Sequence, residues 1–218
     1  MRIVVAGGHG KIARLLHPLL AARGDTSVGL VRHPAHVADL TSDGARGLLL
    51  DLETATVEEV AAALAGADAA VFAAGAGPGS DPARTLTVDR DGAVKLADSA
   101  VRAGVPRLVQ VSSMGTDDVD RDSGDRFQVY LGAKADADAH LRGTDLAWTV
   151  VRPGRLTDEP GTGLVEAGPS VTRGAVPRAD VAAVLAAVLA DDAPARRQFE
   201  VVGGRTPVGE AVARLTAG

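Results

Sequence analysis

The chain has 218 residues, of which 46% are hydrophobic and only 2% aromatic, and its 23 basic and 28 acidic side chains give a formal charge of −5. A chain of this length and hydrophobic content can bury one substantial core, so we expect a single domain over residues 1–218 with no separate substrate domain. The acidic balance and scarce aromatics exclude a basic, base-stacking surface for nucleic acid. The lack of cysteine excludes disulfides and thiolate metal sites and fits a reducing compartment.

The apolar stretches of the chain are too short to cross a membrane. The longest uncharged one, from Val181 to Ala190, has about half the length that a bilayer requires. The N-terminal residues lead into a predicted strand and not into the apolar segment of a secretory signal. We therefore expect a cytoplasmic protein, a monomer or a homodimer, that binds a small molecule and no membrane.

Six short aliphatic runs are continuous rather than alternating, as is typical of parallel strands buried on both faces. They lie at Ile3–Ala6, Ser27–Val31, Gly47–Leu50, Ala69–Ala73, Leu108–Val111 and Ala147–Val151. Helical patterns fill the intervals, at Lys11–Arg23, Pro34–Asp39, Val57–Leu64, Ala83–Ala103 and Phe127–Arg142. This alternation predicts an α/β fold with a doubly wound parallel sheet of the Rossmann type.

Glycine and proline punctuate these elements. Glycines that we predict as helix C-caps are Gly24, Gly66, Gly104 and Gly143. Pro18 lies inside the first helical pattern, where it costs about 3 kcal/mol or bends the helix at His17. The pattern after Pro153-Gly154 predicts a Gly/Pro-rich loop to Gly168, a helix over Arg178–Ala190 that Asp191 and Asp192 end, a strand over Phe199–Val202 and a terminal helix near Val208–Leu215.

A glycine-rich turn of the form Gly-x-x-Gly-x-x-Ala, from Gly7 to Ala13, separates the first predicted strand from the first helix. Glycines in this place let backbone N–H groups approach a diphosphate at the positive end of the helix. The alternative is a purely structural turn. The cofactor-binding candidates in the turn are Gly7, Gly8, His9, Gly10, Lys11 and Ile12.

The end of the second predicted strand indicates which dinucleotide binds. Arg32 and His33 stand where NAD-binding proteins carry an acid that accepts hydrogen bonds from the ribose. A guanidinium suits the 2′-phosphate of NADP(H), although an ordinary surface arginine is the alternative. Further cofactor candidates follow the third and fourth strands, namely Asp51 and Leu52 near the adenine and Ala73, Ala74 and Gly75 where the chain passes close to the cofactor.

A second group of residues has the character of an acid–base site. Tyr130 is the only tyrosine of the chain and stands four residues before Lys134, so the two share one face of a predicted helix. An ammonium close to a phenol favours the phenolate and brings a weak acid into a useful range at neutral pH. Ser113, or its neighbour Ser112, is placed at a strand end to hydrogen-bond a substrate carbonyl and the oxyanion that develops on it. Strand-end capping is the alternative role for that hydroxyl.

The motifs resemble those of the short-chain dehydrogenase/reductase superfamily, in its compact atypical NADP(H)-binding branch with biliverdin reductase B/flavin reductase-like and NmrA-like proteins. The resemblance runs from Met1 to about Gly204 and is carried by the glycine turn, Val111-Ser112-Ser113, Tyr130-Leu131-Gly132-Ala133-Lys134 and Val151-Arg152-Pro153-Gly154. It implies that Ser113 orients the carbonyl, Tyr130 transfers the proton and Lys134 holds the nicotinamide ribose. It also implies that Pro153 and Gly154 lie against the nicotinamide.

Two departures from the superfamily bear on the chemistry. Asp89 stands where an asparagine of the proton relay is usual, although the atypical branch commonly has an aspartate there. The chain after Gly154 is too short for the substrate lobe of sugar epimerases and dehydratases. We therefore favour an NADP(H)-dependent oxidoreductase acting on a small carbonyl, enone, quinone or flavin-like acceptor. An NADP(H)-binding sensor without turnover and a nucleotide-sugar epimerase are the alternatives.

Metal binding is not expected. The segment from Asp118 begins like a calcium loop, but Ser123 replaces the required glycine and Val129 the bidentate acid. His33 and His36 lack an evident third ligand. A solvated loop, with Ser123 or Asp125 capping the helix that bears the tyrosine, explains the acidic segment better.

Overall fold

The structure is a computed structural model and describes residues 1–77, 79–190 and 195–215. Its strands are β1 (Arg2–Ala6), β2 (Thr26–Val31), β3 (Arg46–Leu49), β4 (Ala69–Phe72), β5 (Arg107–Val111), β6 (Ala147–Pro153), β7 (Arg155–Thr157), β8 (Leu164–Gly168), β9 (Ala175–Pro177), β10 (Arg197–Gly203) and β11 (Thr206–Pro207). Its helices are α1 (Lys11–Ala22), α2 (Ala35–Ser42), α3 (Val57–Leu64), α4 (Pro82–Thr85), α5 (Gly92–Ala103), α6 (Arg126–Arg142), α7 (Arg178–Ala190) and α8 (Val208–Arg214).

The main sheet has the strand order β11-β8-β10-β6-β5-β4-β1-β2-β3. From β3 to β10 neighbouring strands are parallel, whereas β8 pairs antiparallel with both β10 and β11. β7 and β9 form a separate parallel pair. The predicted doubly wound α/β fold is therefore confirmed, and an antiparallel edge is added to it.

Helices cover both faces of the sheet. Alternate residues of β1 point to opposite sides, so Ile3 and Val5 join a buried cluster with α1, α7 and α8, while Val4 joins a second cluster with α3, α5 and α6. Burying one such aliphatic side chain contributes about 1.5–3 kcal/mol. This two-sided burial explains why the strand sequences are continuous apolar runs.

The helix ends follow local sequence signals. Thr56 begins α3 with a reciprocal capping box to Glu59, and Asp125 begins α6 by accepting hydrogen bonds from two backbone N–H groups. Three of the predicted capping glycines, Gly24, Gly66 and Gly104, adopt positive φ just after a helix. Gly143 instead caps α6 with φ −76°, a conformation open to other residues.

Several elements differ from the predictions. The helix predicted over Ala83–Ala103 is α4 and α5 joined by a wider π-helical turn, Leu86–Asp91. The predicted Gly/Pro-rich loop after Gly154 contains β7 and β8, because their partners lie far along the chain and no local pattern marks them. Helix α1 contains Pro18 as predicted and ends at Ala22, one residue before the predicted end at Arg23, while the bend at His17 stays a prediction. The helix end predicted at Asp191 and Asp192 lies outside the described residues.

The glycine turn is held tightly against the sheet. Gly7 has φ +77°, and a Cβ on it would lie 2.6 Å from the backbone of Ala74. A Cβ on Gly8 would lie 2.4 Å from Cα of Gly29 in β2. Below the turn, His17 Nε2 donates to the carbonyl of Gly8 at 3.0 Å, and its Nδ1 lies 3.0 Å from the hydroxyl of Ser27. Any larger residue at 7 or 8 would therefore displace the turn.

We expect the stability of the protein to depend on pH through His17. Burial lowers the pKa of His17 by more than its hydrogen bond to Gly8 raises it. As the pH falls below about 6.5, the unfolded chain binds a proton that the folded chain rejects, so the free energy of unfolding falls by up to about 1.4 kcal/mol per pH unit. Urea denaturation at neutral and mildly acidic pH measures this decrease.

The matched variants are His17→Gln and His140→Gln. In His17→Gln, the decrease in the free energy of unfolding between the two pH values should be smaller than in the wild-type protein. His140→Gln should keep it, because His140 is a partly exposed residue paired with Asp98. An unchanged pH dependence in His17→Gln would contradict this account.

Candidate functional site

A long crevice follows the carboxyl ends of the parallel strands and consists of three adjoining cavities. We name them after one lining residue each: the Arg32 cavity, about 240 Å³; the Lys134 cavity, about 460 Å³; and the Arg173 cavity, about 510 Å³. Ala73, Ala74 and Gly75 line both of the first two. Tyr130 and Phe127 line both of the last two. The crevice is thus continuous from β2 to β7.

The Arg32 cavity collects most of the predicted cofactor residues. Those that line it are Gly7, His9, Gly10, Arg32, Asp51, Leu52, Ala73, Ala74 and Gly75. The remaining candidates lie differently. Gly8 packs under the turn, Ile12 lines the Lys134 cavity, and Lys11 forms an exposed ion pair with Asp158. His33 lies edge-on to His36, with ring centroids 5.2 Å apart.

An acid missed by the sequence analysis, Glu53, lies beside Arg32. Its Oε2 is 3.6 Å from Nη1 of Arg32 and 3.0 Å from Nη2 of Arg84. Its Oε1 accepts a hydrogen bond from Thr87 at 3.0 Å. The cavity therefore holds the guanidinium groups of Arg32 and Arg84 against the carboxylate of Glu53, with Asp51 also in its lining, and such a set binds either a phosphate or ribose hydroxyls. Arg84 lies far along the chain from Arg32, so no spacing signals the pair.

Helix α6 brings Tyr130 and Lys134 to the centre of the crevice. Lys134 is 3% exposed, with Nζ 3.1 Å from Oδ1 of Asp89 and 3.2 Å from the carbonyl oxygen of Val111. The same Nζ lies 5.9 Å from the ring centroid of Tyr130. Asp89 comes from the π-helical turn and is also buried. Three of the predicted catalytic residues are therefore brought together.

The charge on Lys134 is held by its neighbours. Burial acts to lower its pKa, but Tyr130 and the carboxylate of Asp89 outweigh burial and raise the pKa of Lys134. Asp89 in turn accepts the backbone N–H of Ala76 at 2.9 Å. The pair thus connects α6 to the loop that borders the crevice, and it maintains a positive charge behind the phenol.

The two adjacent serines have different surroundings. Ser113 lines the Arg173 cavity, and its hydroxyl donates to the carbonyl of Met114 at 3.1 Å. The hydroxyl of Ser112 donates at 2.9 Å to Asp138, which is fully buried. Both serines line the Arg173 cavity, but the hydroxyl of Ser112 is held by a buried carboxylate, which leaves Ser113 as the candidate for an acceptor.

The buried network centres on Asp138 and supports the strand ends under the site. Asp138 also accepts hydrogen bonds from Gln110 at 2.7 Å and from Nη2 of Arg152 at 2.9 Å. This role of Asp138 was not predicted from the sequence. Asp138 continues the spacing of four that begins with Tyr130 and Lys134, so the signal was present on the helix face. A buried carboxylate with several donors keeps its neighbours in fixed positions.

The Arg173 cavity begins where β6 ends. Pro153 and Gly154 line it, as do Phe127 and three arginines, Arg155, Arg173 and Arg178. Phe127 is 55% exposed and stacks on Tyr130 with ring centroids 6.0 Å apart. The exposed ring and the phenol together form an apolar wall at the mouth of the crevice.

The crevice fits a dinucleotide. The glycine turn can pack against the backbone of β2 and of Ala74 because it carries no Cβ, and it borders the Arg32 cavity at the N-terminus of α1. Cationic side chains stand at the Arg32 end, and a phenol with a buried ammonium stands at the centre of the crevice. The fold and the crevice define a Rossmann-type dinucleotide-binding protein.

Comparison with known proteins supports this class. The profile of the family described as NAD(P)H-binding matches residues 7–192. The chain belongs to this NAD(P)H-binding family, and the predicted resemblance to atypical short-chain dehydrogenases/reductases is confirmed. In the part of the chain that the structure describes, no helix is both long and apolar enough for a membrane span.

The individual relatives extend over the full chain. The uncharacterized sugar epimerase YhfK of Bacillus subtilis is 36% identical over 216 residues, which cover 99% of this chain and 100% of that protein. A solved structure from Bacillus halodurans, provisionally named an NAD-dependent epimerase/dehydratase, is 36% identical with a TM-score of 0.92 and covers 99% of this chain and 100% of its own. The oxidoreductase ylbE from Lactococcus lactis is 26% identical with a TM-score of 0.86 and covers 100% of this chain and 98% of its own.

Proposed function

We propose that the protein is an NADP(H)-dependent oxidoreductase that transfers hydride between NADPH and a small carbonyl, enone, quinone or flavin-like acceptor. The observation that carries the proposal is the buried Lys134–Asp89 pair behind Tyr130, where two cavities of the crevice meet. A bound nicotinamide supplies the hydride. The residues of the chain supply binding, orientation and the proton.

Each residue has a distinct role in this proposal. The glycine turn holds the diphosphate, and Pro153 and Gly154 border the nicotinamide end. Tyr130 donates a proton to the acceptor oxygen, and the ammonium of Lys134 stabilises the phenolate that remains. Lys134 also holds the nicotinamide ribose. The hydroxyl of Ser113 exchanges its hydrogen bond to Met114 for one to the acceptor oxygen, where it stabilises developing negative charge.

We expect NADPH to bind at least tenfold more tightly than NADH, a difference of about 1.4 kcal/mol. The guanidinium groups of Arg32 and Arg84 attract the 2′-phosphate, which NADH lacks. The variants Arg32→Gln and Arg84→Gln should weaken NADPH binding and leave NADH binding almost unchanged. Isothermal titration calorimetry measures both affinities. Equal affinities of the wild-type protein for the two cofactors would contradict the preference.

Glu53 provides a sharper version of the same test. Its carboxylate now neutralises both arginines and would repel a phosphate, so Glu53→Gln should tighten NADPH binding and not NADH binding. Arg102→Gln is the control, because Arg102 pairs with Glu58 on the helices covering the sheet and lines none of the three cavities. A Glu53→Gln variant that weakens NADH binding alone would indicate that Glu53 accepts ribose hydrogen bonds and that NAD(H) is the cofactor.

A nucleotide-sugar epimerase is the second candidate, and the names of two full-length relatives favour it. The chain after Gly154 forms short strands and two helices in its described part, with no lobe of the size that a nucleotide sugar requires. NADPH consumption across a panel of carbonyl, quinone and flavin acceptors tests the oxidoreductase. Binding of a nucleotide sugar without reduction of any acceptor would favour the epimerase. If NADPH binds but no acceptor is reduced and no nucleotide sugar binds, the result would favour an NADP(H)-binding sensor without turnover.

A further inference from the structure

The Arg173 cavity is positively charged along one side. Arg155, Arg173 and Arg178 line it, and no aspartate or glutamate is among its described lining residues. This is unusual in a chain whose acidic residues outnumber its basic ones, 28 to 23. The remaining wall is polar or apolar, with Phe127, Leu156 and Met114 providing the apolar part.

The pairing of β7 with β9 brings the segments that carry these arginines side by side. Gly154 packs so tightly on the segment before β9 that a Cβ on it would lie 2.4 Å from the carbonyl oxygen of Gly174. The backbone N–H of Arg155 donates to that same carbonyl at 2.9 Å, so residues 155 and 173 lie on adjoining segments. Arg178 begins α7, directly after β9. The small β7–β9 pair is thus the scaffold of the cationic wall.

Two of the three arginines have unused binding capacity. Arg178 is paired with Asp158 at 2.6 Å. Over residues 1–77, 79–190 and 195–215, neither Arg155 nor Arg173 forms a side-chain hydrogen bond or an ion pair. Both are exposed to the cavity mouth. Exposed guanidinium groups without a side-chain partner can bind a carboxylate through paired, charge-assisted hydrogen bonds.

We propose that the acceptor is an anion, a carbonyl compound that carries a carboxylate, and that Arg155 and Arg173 bind this carboxylate. The inference rests on the proposed oxidoreductase function. Hydride passes from NADPH to the carbonyl carbon and the proton of Tyr130 to the carbonyl oxygen, which yields an alcohol and NADP⁺. The carboxylate is unchanged and fixes the orientation of the carbonyl. Phe127 and Leu156 contact the apolar part of the acceptor.

The test compares two probes of the same shape and different charge, para-formylbenzoate and para-formylbenzamide. Their binding to the protein saturated with NADP⁺, a state that cannot reduce them, is measured by calorimetry. We expect the carboxylate to bind at least tenfold more tightly than the amide, and we expect this preference to shrink at high salt. The double variant Arg155→Gln/Arg173→Gln should lose the preference. The control Arg102→Gln should keep it.

NADP⁺ affinity is measured for the same proteins and should be equal in all of them. Equal or undetectable binding of both probes, a preference that survives in the double variant, or a loss of NADP⁺ affinity in that variant would overturn the anion site. Turnover separates this failure from failure of the proposed function. Arginine-dependent binding of the carboxylate without NADPH consumption would contradict the oxidoreductase function and leave the anion site standing. Reduction of both probes with equal kcat/KM would contradict the anion site and leave the oxidoreductase function standing.

Discussion

Replacing Tyr130 with phenylalanine is expected to lower kcat by roughly 10²–10⁴-fold, the usual contribution of a positioned acid–base group. The ring, its stacking on Phe127 and its place over Lys134 remain, so the shape of the crevice is kept. Only the proton donor is lost. The dissociation constant of NADPH should therefore change by no more than about twofold. Steady-state kinetics with a reducible acceptor and calorimetry with NADPH measure the two quantities.

Thr144→Val is the control for loss of a hydroxyl. Thr144 lies just after α6, where its hydroxyl donates to the carbonyl of Leu141 at 2.7 Å, and it lines none of the three cavities. Its kcat should equal that of the wild-type protein. If Tyr130→Phe lowered NADPH affinity as much as turnover, the phenol would be a cofactor-binding group. If the variant kept full turnover, the proton would have to come from another residue.

Replacing Lys134 with methionine is expected to reduce the free energy of unfolding by about 3–5 kcal/mol. The side chains of both Lys134 and Asp89 are at most 4% exposed, so removal of the ammonium leaves a carboxylate buried without its counter-charge. Asp89→Asn in the Lys134→Met background removes that charge and should restore a large part of the loss. Asparagine can still accept the N–H of Ala76, so the loop contact survives. Urea denaturation of the four proteins completes the double-mutant cycle.

Lys95→Met provides the matched control for the cycle. Lys95 is a lysine of α5 whose Nζ donates to the carbonyls of Leu52 and Ala55 at 2.6 Å each. Removal of the Lys95 ammonium leaves no buried carboxylate unpaired. The stability lost in Lys95→Met should therefore not be restored by adding Asp89→Asn. Additive effects of Lys134→Met and Asp89→Asn would mean that the two groups do not stabilise each other. The interaction with Asp89 that raises the pKa of Lys134 would then make no contribution to the free energy of unfolding.

The parts of the site that the sequence predicted are local. The glycine turn is read from spacing along a strand, a turn and a helix, and Tyr130 and Lys134 share a helix face through a separation of four residues. Asp138 lies one further step along that face, so the same rule extends to it. Asp89 was predicted by resemblance, and the structure adds the π-helical turn in which it lies. The roles of these residues remain predictions until the variants are measured.

The missed residues come from segments that are distant in sequence. Glu53 contacts Arg32, Arg84 and Thr87 only because the ends of β2 and β3, α4 and the π-helical turn converge at one edge of the sheet. The cationic wall likewise joins residues 155, 173 and 178, two of which lie in a segment predicted as loop or left unassigned. Neither composition nor periodicity carries information on such convergence.

The sequence by itself determined the α/β class, the parallel character of the first six strands, the dinucleotide turn and the spacing of tyrosine and lysine. Each of these depends on interactions between residues near one another in the chain, where hydrophobic periodicity and backbone sterics act directly. Only the tertiary structure decided that β8 returns antiparallel against β10, that a carboxylate lies between Arg32 and Arg84, and that three arginines line the same cavity as the phenol. Those contacts depend on which distant segments the burial of both sheet faces brings together, and local free energies do not encode that choice.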